Sequence, residues 1–291
     1  DEGMGGMAMA RRLAENGVIK NVPSFVLYVR GEKAEADLRP GTYIFSGEVS
    51  YAQVLAELKR GRSEANTVNV TIPEGKTVPQ IADIWEEAGL CTADEFLRCC
   101  AELDIPYDYI PAGEDFNQLE GFLFPETYNV LITWGAEDLV KLQLAQFDKN
   151  WTAERQKLAD EQGLTVKEIV TLASLIEREA RVADERPLIA SVIYNRLAIG
   201  QKLQIDATIQ YILGEQVDRV LYKDLEIESP YNTYLNAGLP PGAICSPGLS
   251  CIDAALNPAE TDYFYYRTKN DGSGEHNFAH TYEEHLQNAN K

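Results

Sequence analysis

The chain has 291 residues, of which 26 are Lys or Arg and 46 are Asp or Glu, for a net charge of −20. Nucleic acid needs a basic footprint, so this balance argues against nucleic acid as a partner and against anionic lipid, while a neutral hydrogen-bonding ligand such as a glycan stays compatible. Hydrophobic residues make up 45% and charged residues 25% of the chain, an ordinary globular balance, and no apolar run reaches the ~18 residues of a membrane span.

In chain order, the first segment reads as a small α+β unit over residues 1–65. Met7–Asn16 is helical and stops at Gly17. Ser24–Val29 is apolar and strand-like, and Gly41–Phe45 reads as a second strand. Ser50 is placed to cap a helix running to about Arg60, with Gly61 just beyond it. Residues 66–115 read as a second unit in the order strand, helix, helix. Thr67–Ile72 alternates apolar and polar residues, which fits a half-buried strand. Thr77 with Gln80, and Thr92 with Glu95, form capping boxes that open the two helices. A weak echo between L-A-E-N-G-V-I and I-W-E-E-A-G-L suggests two related βαα-type modules. Ile105–Gln118 is rich in turn residues and is taken as the domain boundary. Residues 116–291 then read as mostly helical with long ordered loops, including helices at Glu137–Trp151 and Glu154–Glu161. The whole is expected to be α+β.

Thr165 and Glu168 form a third capping box, opening a helix that ends in A-S-L-I-E-R-E-A, residues 173–180. At about 100° per residue, Ile169, Leu172, Ala173, Ile176 and Ala180 share one face. Glu179 falls about 20° from Leu172, at the edge of that face, and Glu177 falls on the other flank. Arg178 is expected to point to solvent. A half-buried carboxyl is raised in pKa and suits a general acid. Glu179 is therefore the candidate, and an acidic helix flank is the plainer alternative.

Five cysteines (91, 99, 100, 245 and 251) lack C-x-x-C spacing, so a zinc ribbon is not expected, and reduced, partly buried thiols are. All three histidines lie at 276, 280 and 285, where the chain reads as loop turning into helix. No metal and no cofactor are expected, and His276 reads as a structural or substrate-contacting residue. Asp206 is read as a helix cap or hydrogen-bonding support rather than a second catalytic carboxylate.

The motifs after the glutamates run in a fixed order: E-R-P-L-I-A-S-V-I-Y-N-R-L (185–197), L-Q-I-D-A-T-I-Q-Y (203–211), S-P-Y-N-T-Y (229–234), G-L-P-P-G-A-I (238–244) and P-G (247–248). E-G-F-L-F-P-E-T-Y (120–128) precedes them and H-N-F-A-H-T-Y-E-E-H (276–285) follows. Together they resemble the YceG/MltG-like endolytic murein transglycosylases, over about 170 residues. The Thr67–Leu103 unit resembles that family's LysM-like module. The resemblance implies a bacterial enzyme acting on peptidoglycan glycan strands at the extracytoplasmic face of the plasma membrane. It would be held there by an N-terminal helix lying before Asp1, and the start at Asp1 fits an expression fragment or a processed ectodomain. Cell-wall synthases are implied as possible partners.

The resemblance maps the family's catalytic acid onto Glu179, with Ala180 where Thr or Ser is frequent. It implies cleavage of the MurNAc–GlcNAc β-1,4 bond to a 1,6-anhydro end, with one glutamate as acid and base. Amide, hydroxyl and aromatic side chains suit the sugars, and the candidates are Tyr194, Asn195, Gln204, Asp206, Tyr231, Asn232 and Tyr234. Glu177, Glu126 and His276 are candidate supports. The alternative from another class is a non-catalytic peptidoglycan-binding or scaffold protein.

Overall fold

The computed structural model describes residues 6–39, 43, 45, 49–60, 67–110, 115–214, 217 and 219–288. The chain divides into two compact units: Asp1–Asn69 with Asn129–Thr133, and Val70–Tyr128 with Trp134–Lys291.

The first unit contains helices α1 (Gly6–Glu15), α2 (Val22–Gly31) and α3 (Tyr51–Arg60). They close on a core of Ala10, Ile19, Phe25, Val29, Val54, Leu55 and Leu58. The strand expected at Ser24–Val29 is instead the body of α2. Asn21 caps this helix by accepting the Ser24 N–H at 2.9 Å, and Pro23 sits in the first turn, where its missing N–H costs nothing. Phe25 and Val29, four residues apart, are the buried stripe, so helical packing overrides the β-branched composition. The Ser50 cap forms as expected: Gln53 N–H donates to Ser50 Oγ, and Ser50 N–H donates to the Gln53 side chain. Of the strand expected at Gly41–Phe45, residues 41, 42 and 44 lie outside the described residues, as does the Gly61 stop.

Strands β1 (Thr67–Thr71) and β2 (Thr127–Leu131) pair as a two-stranded sheet. In the second unit the Thr71 and Thr127 hydroxyls meet at 2.9 Å, and Ile72 N–H donates to the Glu126 carbonyl. Helices α4 (Val78–Glu87) and α5 (Ala93–Glu102) pack against each other, and both open with complete capping boxes. α6 (Ala136–Asn150) and α7 (Ala153–Gln162) lead to α8 (Val166–Glu179), whose capping box at Thr165 and Glu168 is also complete.

α8 is the hub of this unit. Every residue from Ile169 to Ile176 is buried, with α7, α9 (Arg186–Ala198), α10 (Asp206–Leu213) and α11 (Leu249–Leu256) packed around it. A helix wrapped on all sides needs few polar residues, and those present must be bonded internally. Thr171 donates to the Lys167 carbonyl and Ser174 to the Thr171 carbonyl, while Ser174 Oγ also accepts the Ile244 N–H at 3.0 Å. Gly121 fits where nothing larger does. Its φ is +89°, and an added Cβ would lie 2.6 Å from both Ala243 Cβ and Val170 Cγ1.

The chain ends with β3 (Tyr265–Thr268), β4 (His276–Ala279) and α12 (Tyr282–Asn288). β3 and β4 form an antiparallel hairpin, with Tyr266 opposite Phe278 and Thr268 opposite His276. The loop-to-helix transition expected at His276 is thus a strand, and the helix begins only at Tyr282. Among the described residues no helix is long and apolar enough to cross a membrane.

Candidate active site

α8 ends on Glu179, and the Ala180 N–H closes the last turn onto the Ile176 carbonyl at 2.8 Å. Packing of the helix body therefore fixes where the Glu179 carboxyl emerges. It emerges into a cleft of about 780 Å³ that is also lined by the 201–206 loop, the β3–β4 hairpin and α12. Tyr266 Oη donates a hydrogen bond to Glu179 Oε2 at 2.9 Å. Burial pushes the Glu179 carboxyl above its ordinary range. The Tyr266 bond opposes that rise, the Asp206 charge adds to it, and the His276 and Arg178 charges oppose it. Burial beside this carboxyl also raises the Tyr266 phenol well above its ordinary value, so it remains a donor.

Tyr266 is held in turn. The His276 ring stands edge-on to it, with centroids 5.4 Å apart. Glu185 clamps His276 with both oxygens: one accepts the His276 backbone N–H at 2.8 Å and the other meets Nδ1 at 2.7 Å. Both residues are buried, so the carboxylate fixes the ring's orientation and leaves Nε2 as its remaining polar atom. Arg196 braces the hairpin from α9, donating to the Phe264 carbonyl at 2.6 Å and lying over the Tyr265 ring at 5.1 Å.

Of the residues anticipated from sequence, Glu179, Gln204, Asp206, Tyr234 and His276 line this cleft. Gln204 has φ +51°, a left-handed conformation uncommon outside glycine, and its N–H is tied to the Thr233 carbonyl at 3.1 Å. Asp206, the first residue of α10, accepts a hydrogen bond from Tyr234 Oη.

The others lie elsewhere. Tyr194 Oη donates to Gln162 and to the Ala255 carbonyl, tying α9 to its neighbours. Asn195 donates to the Thr261 and Tyr263 carbonyls at 2.8 and 2.9 Å, fixing the approach to β3. Asn232 is buried, donates to the Leu225 and Ile227 carbonyls, and accepts the N–H of the cleft residue Tyr234 at 2.9 Å. Tyr231 packs on Tyr211, centroids 4.9 Å apart, in a separate cavity of about 440 Å³. That cavity contains Glu120, a buried carboxyl pushed up to about 8 by burial. Glu126 is exposed and accepts the N–H of the next residue, Thr127.

Glu177 points to the opposite flank of α8 from Glu179. Its Oε2 accepts the Gly248 N–H at 3.0 Å, and its charge helps raise the Glu74 carboxyl, second to burial. Arg178 is half-buried rather than directed to solvent. It donates to Gln210 at 3.2 Å and reaches the Gly75 carbonyl, because α10 and the 73–77 turn cover this end of the helix.

Sequence reasoning missed Tyr266, Glu185 and Arg196. A signal for Tyr266 was present: the aromatic run Y-F-Y-Y-R-T, then N-D-G-S-G, then H-N-F-A is a hairpin pattern. Among the described residues no group of three or more His, Cys, Asp or Glu is placed to hold a metal.

The model of the YceG-like family matches residues 1–291. The chain is 36% identical to the endolytic murein transglycosylase of Bacillus subtilis, covering 96% of this chain and 79% of that protein. It is 31% identical to the endolytic murein transglycosylase of Streptococcus pneumoniae, covering 91% of this chain but only 52% of that protein, about half its length. A crystal structure of a YceG-like protein from Listeria monocytogenes superimposes with a TM-score of 0.68 at 32% identity, covering 99% of this chain and 96% of that one.

Proposed function

The chain belongs to the YceG-like family, and from that premise we propose that it is an endolytic peptidoglycan lytic transglycosylase whose acid and base is Glu179. The observation that carries this reading is the Glu179 carboxyl, raised by burial and bonded to Tyr266 in a polar cleft, while Asp206, the cleft's other carboxylate, is bonded to Tyr234 and Glu177 is engaged on the other flank.

Protonated Glu179 gives its proton to the glycosidic oxygen as the MurNAc C1–O bond breaks. The resulting carboxylate takes the proton of the muramyl C6 hydroxyl, whose oxygen bonds to C1 and closes the 1,6-anhydro ring. Glu179 is left protonated again and no water is consumed. A hydrolase needs a second carboxylate as nucleophile or water activator. Intramolecular attack does not, since the nucleophile is already part of the substrate. Gln204, Tyr234 and Asp206 supply hydrogen-bonding groups along the cleft, and Tyr266 orients the acid.

In the same reading, residues 66–115 form a LysM-like module that grips glycan, residues 1–65 form an N-terminal module, and residues 116–291 form the catalytic domain. The enzyme works on glycan strands at the extracytoplasmic face of the plasma membrane, beside cell-wall synthases and anchored by an N-terminal helix.

Mass analysis of products from purified glycan strands tests the chemistry. The expected products carry 1,6-anhydro ends and disappear with Glu179→Gln. Reducing ends would identify a hydrolase, and glycan binding without any product would favour a scaffold.

A further inference from the structure

The cleft is charged against the sign of the molecule. Four arginines line it (Arg178, Arg181, Arg196 and Arg267), against two carboxylates, Glu179 and Asp206, in a chain of net charge −20. Arg178 and Arg196 are engaged with Gln210 and with backbone carbonyls. Arg181 and Arg267 are different. Both are exposed, and neither side chain makes a hydrogen bond or ion pair among the described residues. Both guanidinium groups are therefore open to a ligand entering the cleft. Another polar atom there is unmatched as well: Nδ1 of His285, which lines the same cleft, is buried without a hydrogen-bond partner.

Neutral sugars need no such charge. Hydroxyl and acetamido groups are served by Gln204, Tyr234 and Asp206. Guanidinium groups match carboxylates in a two-pronged geometry, and a local positive field gathers anions even on an acidic protein. The two arginines also sit beside the reacting carboxyl along the chain: Arg181 is two residues beyond Glu179, and Arg267 follows Tyr266. In peptidoglycan the anionic substituent of the muramyl ring that is cleaved is the peptide stem on its C3 lactyl ether, which carries carboxylates.

We propose that Arg181 and Arg267 form a recognition site for the carboxylates of the peptide stem, so that the cleft selects glycan still bearing its stems over stripped glycan. This rests on the transglycosylase reading and adds the substrate's anionic substituent to it.

Binding tests it in a Glu179→Gln background, where no substrate is consumed. The probes are glycan strands with stems intact and the same strands after amidase removal of the stems, each titrated by calorimetry. Stem-bearing strands are expected to bind about tenfold more tightly, a preference that shrinks as salt rises because the arginines are exposed. Arg181→Gln with Arg267→Gln is expected to erase the preference without weakening stripped-strand binding, and Arg181→Lys with Arg267→Lys to restore part of it. Equal affinity for the two strands overturns the proposal, as does a preference that survives the double Gln change. A glycerol-phosphate polymer binding as tightly as stem-bearing glycan would reassign the site to phosphate. Failure of the parent reading shows separately, as absence of anhydro products from the unmodified protein while the binding preference persists.

Discussion

Removing one oxygen, by Tyr266→Phe, isolates the contact that most directly sets Glu179. The ring is half-buried against His276 and Phe278, so phenylalanine fills nearly the same volume and the hairpin packing is retained. What is lost is the 2.9 Å hydrogen bond to Glu179 Oε2. A hydrogen bond to a charged group is worth about 1.5–3 kcal/mol. That bond favours the ionised carboxyl, so losing it shifts the ionisation equilibrium about ten- to a hundredfold toward the acid. In the proposed scheme protonated Glu179 starts the reaction, so the wild-type rate should fall as pH rises through the carboxyl's titration. In Tyr266→Phe the alkaline limb should move upward by about one to two pH units. The rate at the plateau should drop, because the carboxyl is less well oriented. Initial rates of anhydro-product release on one glycan preparation, across pH, give both quantities. An alkaline limb that stays in place or moves downward refutes the assignment of Tyr266 as the group that tunes the acid.

Asp206→Asn tests the opposite sign: the Asp206 charge raises the Glu179 carboxyl, so its removal should move the alkaline limb downward, read from the same pH–rate profile. Glu179→Gln should lower cleavage by about 10²–10⁴-fold. Its effect on stability has a pH signature. Because the folded value is raised, this carboxyl favours the fold below its unfolded value, and that contribution is lost as pH rises through the folded value. Glutamine does not ionise, so melting temperatures should show Glu179→Gln gaining on wild type at pH 8 and not at pH 4. Glu177→Gln keeps an amide oxygen to accept the Gly248 N–H, and its cleavage rate should stay close to wild type; a loss as large as that of Glu179→Gln would defeat the one-acid scheme. Gly121→Ala meets both a positive φ and two carbon contacts at 2.6 Å, and should cost about 2–5 kcal/mol in denaturant unfolding.

Features set by local chain chemistry were readable in advance. The capping boxes at Thr77, Thr92 and Thr165 each join residues three apart, and all three form. The separation of Glu177 from Glu179 follows from helical geometry alone, and their partners, Gly248 and Tyr266, are different. Contacts between distant segments were not readable. Glu179 and Tyr266 are 87 residues apart, and His276 and Glu185 are 91 apart. A single sequence names which residues can do sugar chemistry but not which way they face. Asn195, Asn232 and Tyr194 have the right chemistry, yet their polar atoms are taken up by carbonyls and Gln162. The misread of α2 has the same origin in part: S-F-V-L-Y-V suits a strand by composition, while the Asn21 cap and packing against α1 and α3 make it a helix.

The surroundings of Glu179 do not all push one way. Burial and Asp206 hold its proton on, while Tyr266, His276 and Arg178 ease it off. A carboxyl subject only to the first set would be a poor base for the muramyl C6 hydroxyl, and one subject only to the second would be a poor acid for the leaving oxygen. A mechanism in which one residue does both needs the two tendencies to compete. The architecture provides this by drawing the opposing groups from different segments: Asp206 from the start of α10, and Tyr266 and His276 from the hairpin. Their relative placement then depends on Arg196, Asn195 and Glu185, which tie α9 and the turn before it to the hairpin and to the chain leading into it. In the proposed scheme the amide, guanidinium and carboxylate of these three residues fix the distance over which the competing groups act on Glu179.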